Sequence, residues 1–119
     1  MLGVFMSTLE KLAMKTSIER KGSPLTPLEV EQYLQSFLGW NLIDGSIYKE
    51  FRFKSYLEGL SFANQIGKIS EEQNHHPDIL IKWRRVKLTL STHSVKGLSE
   101  NDFILAAKSE LKYRESTSA

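Results

Sequence analysis

The sequence predicts an α+β fold: a four-stranded antiparallel sheet with helices packed on one face, in the order helix-strand-strand-helix-strand-strand-helix. Three observations carry it. Capping-box patterns precede three helix-period segments. Two pairs of short alternating segments are each joined by a tight-turn sequence, which makes them hairpins and not crossover units. The hairpins and helices then follow one another within 119 residues, the usual size of one domain with one core.

The first helix starts at Thr26-Pro27-Leu28-Glu29, where Thr26 caps, Pro27 suits the first helical position and Glu29 reaches back to the cap. Its apolar stripe runs through Leu28, Val30, Tyr33, Leu34, Phe37 and Leu38 and ends at Gly39. Strands over residues 40–43 and 47–53 flank Asp44-Gly45, a pair that favours the positive φ angles of a two-residue hairpin turn. Ile47, Phe51 and Phe53 share one face of the second strand, with Tyr48, Glu50 and Arg52 on the other. Ser55-Tyr56-Leu57-Glu58 repeats the capping-box pattern, and Leu57, Leu60, Ala63 and Ile66 continue at helical spacing to about Glu72. Residues 79–83 and 86–92 form the second hairpin, joined at Arg84-Arg85, with Val86, Leu88 and Leu90 facing one way. The last helix starts at Ser99, where Leu98 staples onto Phe103 and Asp102 closes the cap, and it runs to about Tyr113. Residues 1–23 read as a loose N-terminal arm and residues 24–116 as the domain, with Met6 an alternative start.

Composition narrows the function. Cysteine is absent, which excludes disulfides, thiolate metal sites and a cysteine nucleophile. A formal charge of +2 is too near neutral for nucleic-acid binding by charge alone. No apolar run reaches the roughly 20 residues of a bilayer span. Met1 to Met6 lacks a basic leader and Glu10 interrupts it, so a cytoplasmic protein is the expectation. The cluster Lys82, Arg84, Arg85 and Lys87 reads as a solvated hairpin tip.

The chain has 3 histidines, and all lie in two short places: His75 and His76 before the third strand, His93 at the end of the fourth. An antiparallel hairpin sets the start of one strand opposite the end of the other, so the histidines converge on one sheet end. Adjacent His75 and His76 point to opposite sides in extended chain, which disfavours a shared metal even with Glu71, Glu72 or Asp78 nearby. Ser91 and Ser94 lack the context of an activated nucleophile. Imidazole, titrating near neutrality, suits general acid/base catalysis instead.

The run Glu71-Glu72-Gln73-Asn74-His75-His76-Pro77, then Trp83, Ser91-Thr92-His93 and Gly97-Leu98-Ser99-Glu100-Asn101-Asp102, resembles the signature of the pterin-4a-carbinolamine dehydratases. Pro24-Leu25-Thr26, Gly39-Trp40 and Phe51-Arg52-Phe53 extend the likeness over residues 24 to 113. The resemblance implies a cytoplasmic hydro-lyase that converts 4a-hydroxytetrahydrobiopterin to quinonoid dihydropterin and water, in tetrahydrobiopterin recycling for aromatic amino-acid (phenylalanine) hydroxylases. It implies no metal and no cofactor beyond the pterin substrate. Carried over, His75, His76 and His93 form the catalytic set, with Glu71 and Asp102 supporting. Asn74, Ser91, Thr92, Ser94 and Trp40 match substrate-lining positions. Arg84 and Ser94 depart from the commoner family residues without removing a catalytic group. The family also implies a homo-oligomer, a dimer of dimers. Its alternative role is as a non-catalytic interaction module, a transcription-factor dimerisation cofactor or an assembly factor.

Overall fold

The computed structural model describes residues 5–117. The elements are α1 (Thr8–Ala13), α2 (Pro27–Leu34), β1 (Asn41–Ile43), β2 (Ser46–Arg52), α3 (Tyr56–Gln73), β3 (Asp78–Lys82), β4 (Arg85–Leu90), a short 3-10 turn at His93–Val95 and α4 (Glu100–Thr117). The four strands make one sheet in the order β1-β2-β4-β3, every pairing antiparallel. The α+β class and the element order of the sequence reading stand, with α1 added in front.

Local chemistry accounts for the element ends. Thr26 Oγ1 accepts from the Glu29 amide and Glu29 accepts from the Thr26 amide, the full capping box, with Pro27 at the first helical position. Asp44 and Gly45 take φ of 43° and 75°, the two left-handed positions of the turn that sets Ile43 opposite Ser46. β2 and β4 pair from Ile47–Leu90 to Arg52–Arg85. Their inner residues Ile47, Phe51, Val86, Leu88 and Leu90 are fully or almost fully buried beneath the helices. The outer face is more open.

α4 runs through the middle of the helical layer. Phe103, Ile104, Leu105, Ala106 and Ala107 are all buried, because α1, α3 and the sheet pack around it. Tyr33 of α2 stacks on Phe103 with ring centroids 4.5 Å apart.

Three expectations are corrected. The arm is not loose throughout: Ser7-Thr8-Leu9-Glu10 is a further capping box, and α1 sends Leu9 and Leu12 into the core against α4. Residues 1–4, including most of the Met1 to Met6 segment, lie outside the described residues. The buried face of α3 is Gly59, Phe62, Ala63, Ile66 and Ser70, whereas Leu57 is exposed and Leu60 half-buried. The stripe is displaced because α3 lies close on the sheet at Gly59, where an added Cβ would sit 3.4 Å from Val86 and 3.5 Å from Phe53. Finally, Leu28 and Leu38 are exposed, since α2 ends at Leu34 and turns only Val30 and the following Phe37 fully inward.

Candidate active site

Asn74 ends α3 in the left-handed conformation, φ 48° and ψ 43°, which asparagine tolerates better than most residues. The reversal lets the His75 amide donate to the Ser70 carbonyl at 3.1 Å, closing the helix end and turning the next residue back toward the core. His75 is accordingly only 9% exposed. His76, one residue on, is exposed and its Nε2 lies 2.6 Å from Glu71 Oε2. The adjacent imidazoles thus reach different surroundings, as their alternation predicts.

The second half of the site follows β4. Thr92 and Gly97 bridge each other, with the Thr92 amide 2.7 Å from the Gly97 carbonyl, so that His93, Ser94, Val95 and Lys96 form a tight projecting loop. Glycine is required at 97 because a Cβ there would come within 2.8 Å of Pro24 Cβ. His93 itself is exposed in the 3-10 turn beyond the strand, not on it.

Asp102 ties the two halves together. It is fully buried in the first turn of α4. Its Oδ1 lies 2.6 Å from His75 Nε2, and its Oδ2 accepts from Thr92 Oγ1 at 2.8 Å and from the Ser99 amide at 2.9 Å. Thr92 Oγ1 is also 2.7 Å from Ser99 Oγ. A carboxylate offers only acceptors, so His75 donates from Nε2, which leaves Nδ1 as the atom free to exchange a proton. The helix cap read from the sequence and the histidine support are the same carboxylate.

These residues surround a cleft of about 580 Å³ whose lining includes Asn74, His75, His76, Ser91, His93 and Ser94. Such a volume suits a bicyclic small molecule. Asn74, Ser91 and Ser94, the positions that the family resemblance marks as substrate-lining, all border this cleft. Thr92 borders the cleft too, but its hydroxyl is spent on Asp102 and Ser99. Glu71 reaches the site through His76.

The structure does not bring Trp40 to the cleft. It is buried in the core, edge-on to Phe51 at 6.0 Å between centroids, with Nε1 donating to Glu110 Oε1 at 2.9 Å, and Glu110 also pairs with Lys49. The apolar ring follows its burial and the indole N–H finds a carboxylate. Conversely, Ser17, Ile18, Glu19 and Arg20 line the cleft although nothing in the sequence singled them out, and Asn101 joins them although the motif run that contains it assigns it no role. A lone arginine in an arm and an asparagine in a helix start carry no chemical pattern.

Charge near the mouth is organised by Glu100. It accepts from Lys15 at 3.1 Å and from the Tyr33 hydroxyl at 2.9 Å, with Arg20 Nη2 at 3.5 Å. Partial burial alone would raise its pKa, but these partners outweigh that and hold the carboxyl below the ordinary value of 4.5. Burial first, and then the bond to Glu100, push the Tyr33 hydroxyl up to about 12. Among the described residues no group of three or more histidine and carboxylate side chains is placed to hold a metal ion. No helix among them is long and apolar enough to cross a membrane.

Comparison with known proteins points to one family. The family model for Pterin 4 alpha carbinolamine dehydratase matches residues 23–111. A provisionally named pterin-4-alpha-carbinolamine dehydratase of Rubrobacter xylanophilus is 41% identical over 103 residues, covering 84% of this chain and 96% of that protein. Its counterpart in Alkaliphilus metalliredigens is 44% identical over 94 residues, covering 77% and 85%. Among solved structures, a transcriptional coactivator/pterin dehydratase from Brucella melitensis superposes with a TM-score of 0.73 at 32% identity, covering 76% of this chain and 98% of that one. A pterin dehydratase-like protein identified as a RuBisCO assembly factor shares the fold at a TM-score of 0.53 and 24% identity, covering 62% of this chain and 86% of that one.

Proposed function

The chain belongs to the pterin 4 alpha carbinolamine dehydratase family, and on that premise we propose that it dehydrates 4a-hydroxytetrahydropterin to quinonoid dihydropterin and water by histidine acid/base catalysis. The observation that supports this most is the meeting of His75, His76 and His93 around one cleft, with His75 held by the buried Asp102.

The reaction asks for two proton transfers. The C4a hydroxyl must gain a proton to leave as water, and the neighbouring ring nitrogen must lose one as its lone pair forms the new C=N bond. Each positioned group is worth about 10²- to 10⁴-fold. His75, with Nε2 fixed on Asp102 and Nδ1 free, and His93, on the opposite loop, are the proton-transfer pair. His76, anchored by Glu71, positions the ring. Asn74, Ser91 and Ser94 supply polar groups for the donor- and acceptor-rich pterin edge. Recycling of tetrahydrobiopterin for an aromatic amino-acid hydroxylase in the cytoplasm is the corresponding physiological role.

Assembly follows from the sheet. β1 and β3 are edge strands, Leu42, Ile43, Leu80 and Ile81 are exposed along them, and Trp83 is exposed in the turn that follows β3. Unpaired edges carrying apolar residues are templates for another chain, so a homo-oligomer, a dimer of dimers, is part of the proposal and light scattering measures it. The same surface favours the second reading, an interaction module, and the Brucella neighbour carries both descriptions in its own name. Turnover of enzymatically generated 4a-hydroxytetrahydropterin, compared with a variant lacking His75 and His93, separates the two. Loss of turnover in that variant supports the enzyme, and absence of turnover in the native chain leaves the interaction module.

A further inference from the structure

We infer that the segment Ser17 to Arg20 is a ligand-binding wall of the histidine cleft, and that Arg20 makes the site discriminate among pterins in favour of those with an anionic substituent. This deepens the pterin reading above and rests on it.

Residues 17–20 have no regular secondary structure, so their own backbone does not hold them in place. Side chains from the two helix ends that build the site do so. Gln73, two residues before His75, accepts from the Ser17 amide at 2.7 Å. Asn101, next to Asp102, donates from Nδ2 to the Ile18 carbonyl at 2.7 Å and accepts from the Ile18 amide at 3.3 Å. This two-point contact resembles that of a neighbouring strand. Asn101 Oδ1 also accepts from Arg20 Nε at 3.0 Å, which orients the guanidinium. The wall is therefore registered against the same two helix ends that set His75 and Asp102.

Two of its polar groups have capacity to spare. Ser17 Oγ is buried and, alone among the buried side-chain polar atoms of the described residues, has no hydrogen-bond partner. Buried hydroxyls are normally satisfied, and Ser17 lines the cleft, so a ligand seated there is a partner to which this hydroxyl can turn. Arg20 uses Nε and Nη2 and leaves Nη1 unbonded among the described residues. Its side chain is 24% exposed, enough shielding for a charge-assisted contact to count.

The charge balance favours an anion there. The carboxylate beside Arg20, Glu100, is shared with Lys15, so two cations meet one anion. Glu19 lines the same wall but is 79% exposed and lies 3.8 Å from Lys21. Asp78 is exposed, and both oxygens of Asp102 are engaged. Arg20 also borders an adjoining depression of about 310 Å³ beside Tyr33, Leu25 and Leu98, which gives a ring substituent room to lie past the guanidinium.

Calorimetric titration of the full chain with 6-carboxypterin and 6-hydroxymethylpterin, which share a ring and differ in substituent charge, tests the inference. The native chain binds the carboxylate about five- to tenfold more tightly. In Arg20→Gln that ratio falls to about one, Arg20→Lys retains part of it, and Ser17→Ala weakens both pterins by about threefold. Thermal unfolding of each variant confirms that the fold is intact. A native chain that binds both pterins with no preference, or an Arg20→Gln chain that keeps the preference, overturns the role of Arg20 and leaves the pterin reading standing. Failure of the native chain to bind either pterin overturns both.

Discussion

Replacing Asp102 separates its structural and catalytic duties. In Asp102→Ala three donors lose their acceptor in a fully buried site: His75 Nε2–H, the Thr92 hydroxyl and the Ser99 amide. Each unsatisfied group costs about 1–3 kcal/mol. Thr92 can turn its hydroxyl to Ser99 Oγ, 2.7 Å away, which removes one penalty. The two remaining penalties sum to about 2–6 kcal/mol, a large part of the roughly 5–15 kcal/mol that holds a domain of this size together. Asp102→Asn behaves differently. Its carbonyl oxygen takes the place of Oδ2 and keeps Thr92 and Ser99, while its amide NH₂ faces His75 Nε2. Stability falls by only about 1–2 kcal/mol. His75 must now accept at Nε2, so its proton moves to Nδ1 and the free nitrogen no longer accepts a proton from the ligand. Turnover drops by about 10²-fold with the fold intact. Urea unfolding followed by tryptophan fluorescence, run beside the dehydration assay, measures both quantities. Full turnover in a folded Asp102→Asn chain would refute the claim that Asp102 fixes the tautomer of His75.

Three further outcomes follow from the same geometry. His76→Ala raises KM with little change in kcat, whereas His75→Ala and His93→Ala each lower kcat by about 10- to 10³-fold, and steady-state kinetics of the three variants shows whether the labour is divided this way. Trp40→Phe removes the donor to Glu110, costs about 1 kcal/mol in urea unfolding and leaves the dehydration rate unchanged, because the indole lies in the core and not on the cleft. Glu100 has a folded pKa below its ordinary value of 4.5, so its contribution to stability is present above that pH and is lost as pH falls through the depressed folded value. Urea midpoints measured down the acid limb fall less steeply in Glu100→Gln than in the native chain.

What was legible in the sequence is what local physics decides. Thr26-Pro27-Leu28-Glu29 contains its own start signal, Asp44-Gly45 its own turn, and Val86, Leu88 and Leu90 alternate because one face of β4 is dry. The convergence of His75 and His93 needed only the antiparallel sense of β3 and β4. The hidden parts depend on contacts distant in the chain. The β2–β4 pairing at the centre of the sheet has no local signature. The displaced face of α3 rests on Gly59, which has no side chain to register in a hydrophobic pattern. α1 is 6 residues long, too short for periodicity to emerge, and it is secured by burying Leu9 and Leu12 rather than by its own propensity. The wall at residues 17–20 is held by Gln73 and Asn101, ordinary amides whose partners lie more than fifty residues away. Trp40 matches a pocket position through family likeness alone, whereas its burial and its bond to Glu110 place it in the core.

The central claim is that this cleft dehydrates a pterin carbinolamine through His75 and His93. The direct measurement generates 4a-hydroxytetrahydropterin enzymatically and follows its decay spectroscopically with and without the purified chain, with and without a chelator, and with a His75→Ala, His93→Ala double variant whose circular dichroism matches the native chain. The account predicts strong acceleration by the native chain, no loss on chelation, and decay in the double variant close to the spontaneous rate. Full turnover by the double variant, or activity that disappears with the chelator and returns with a divalent ion, would contradict it.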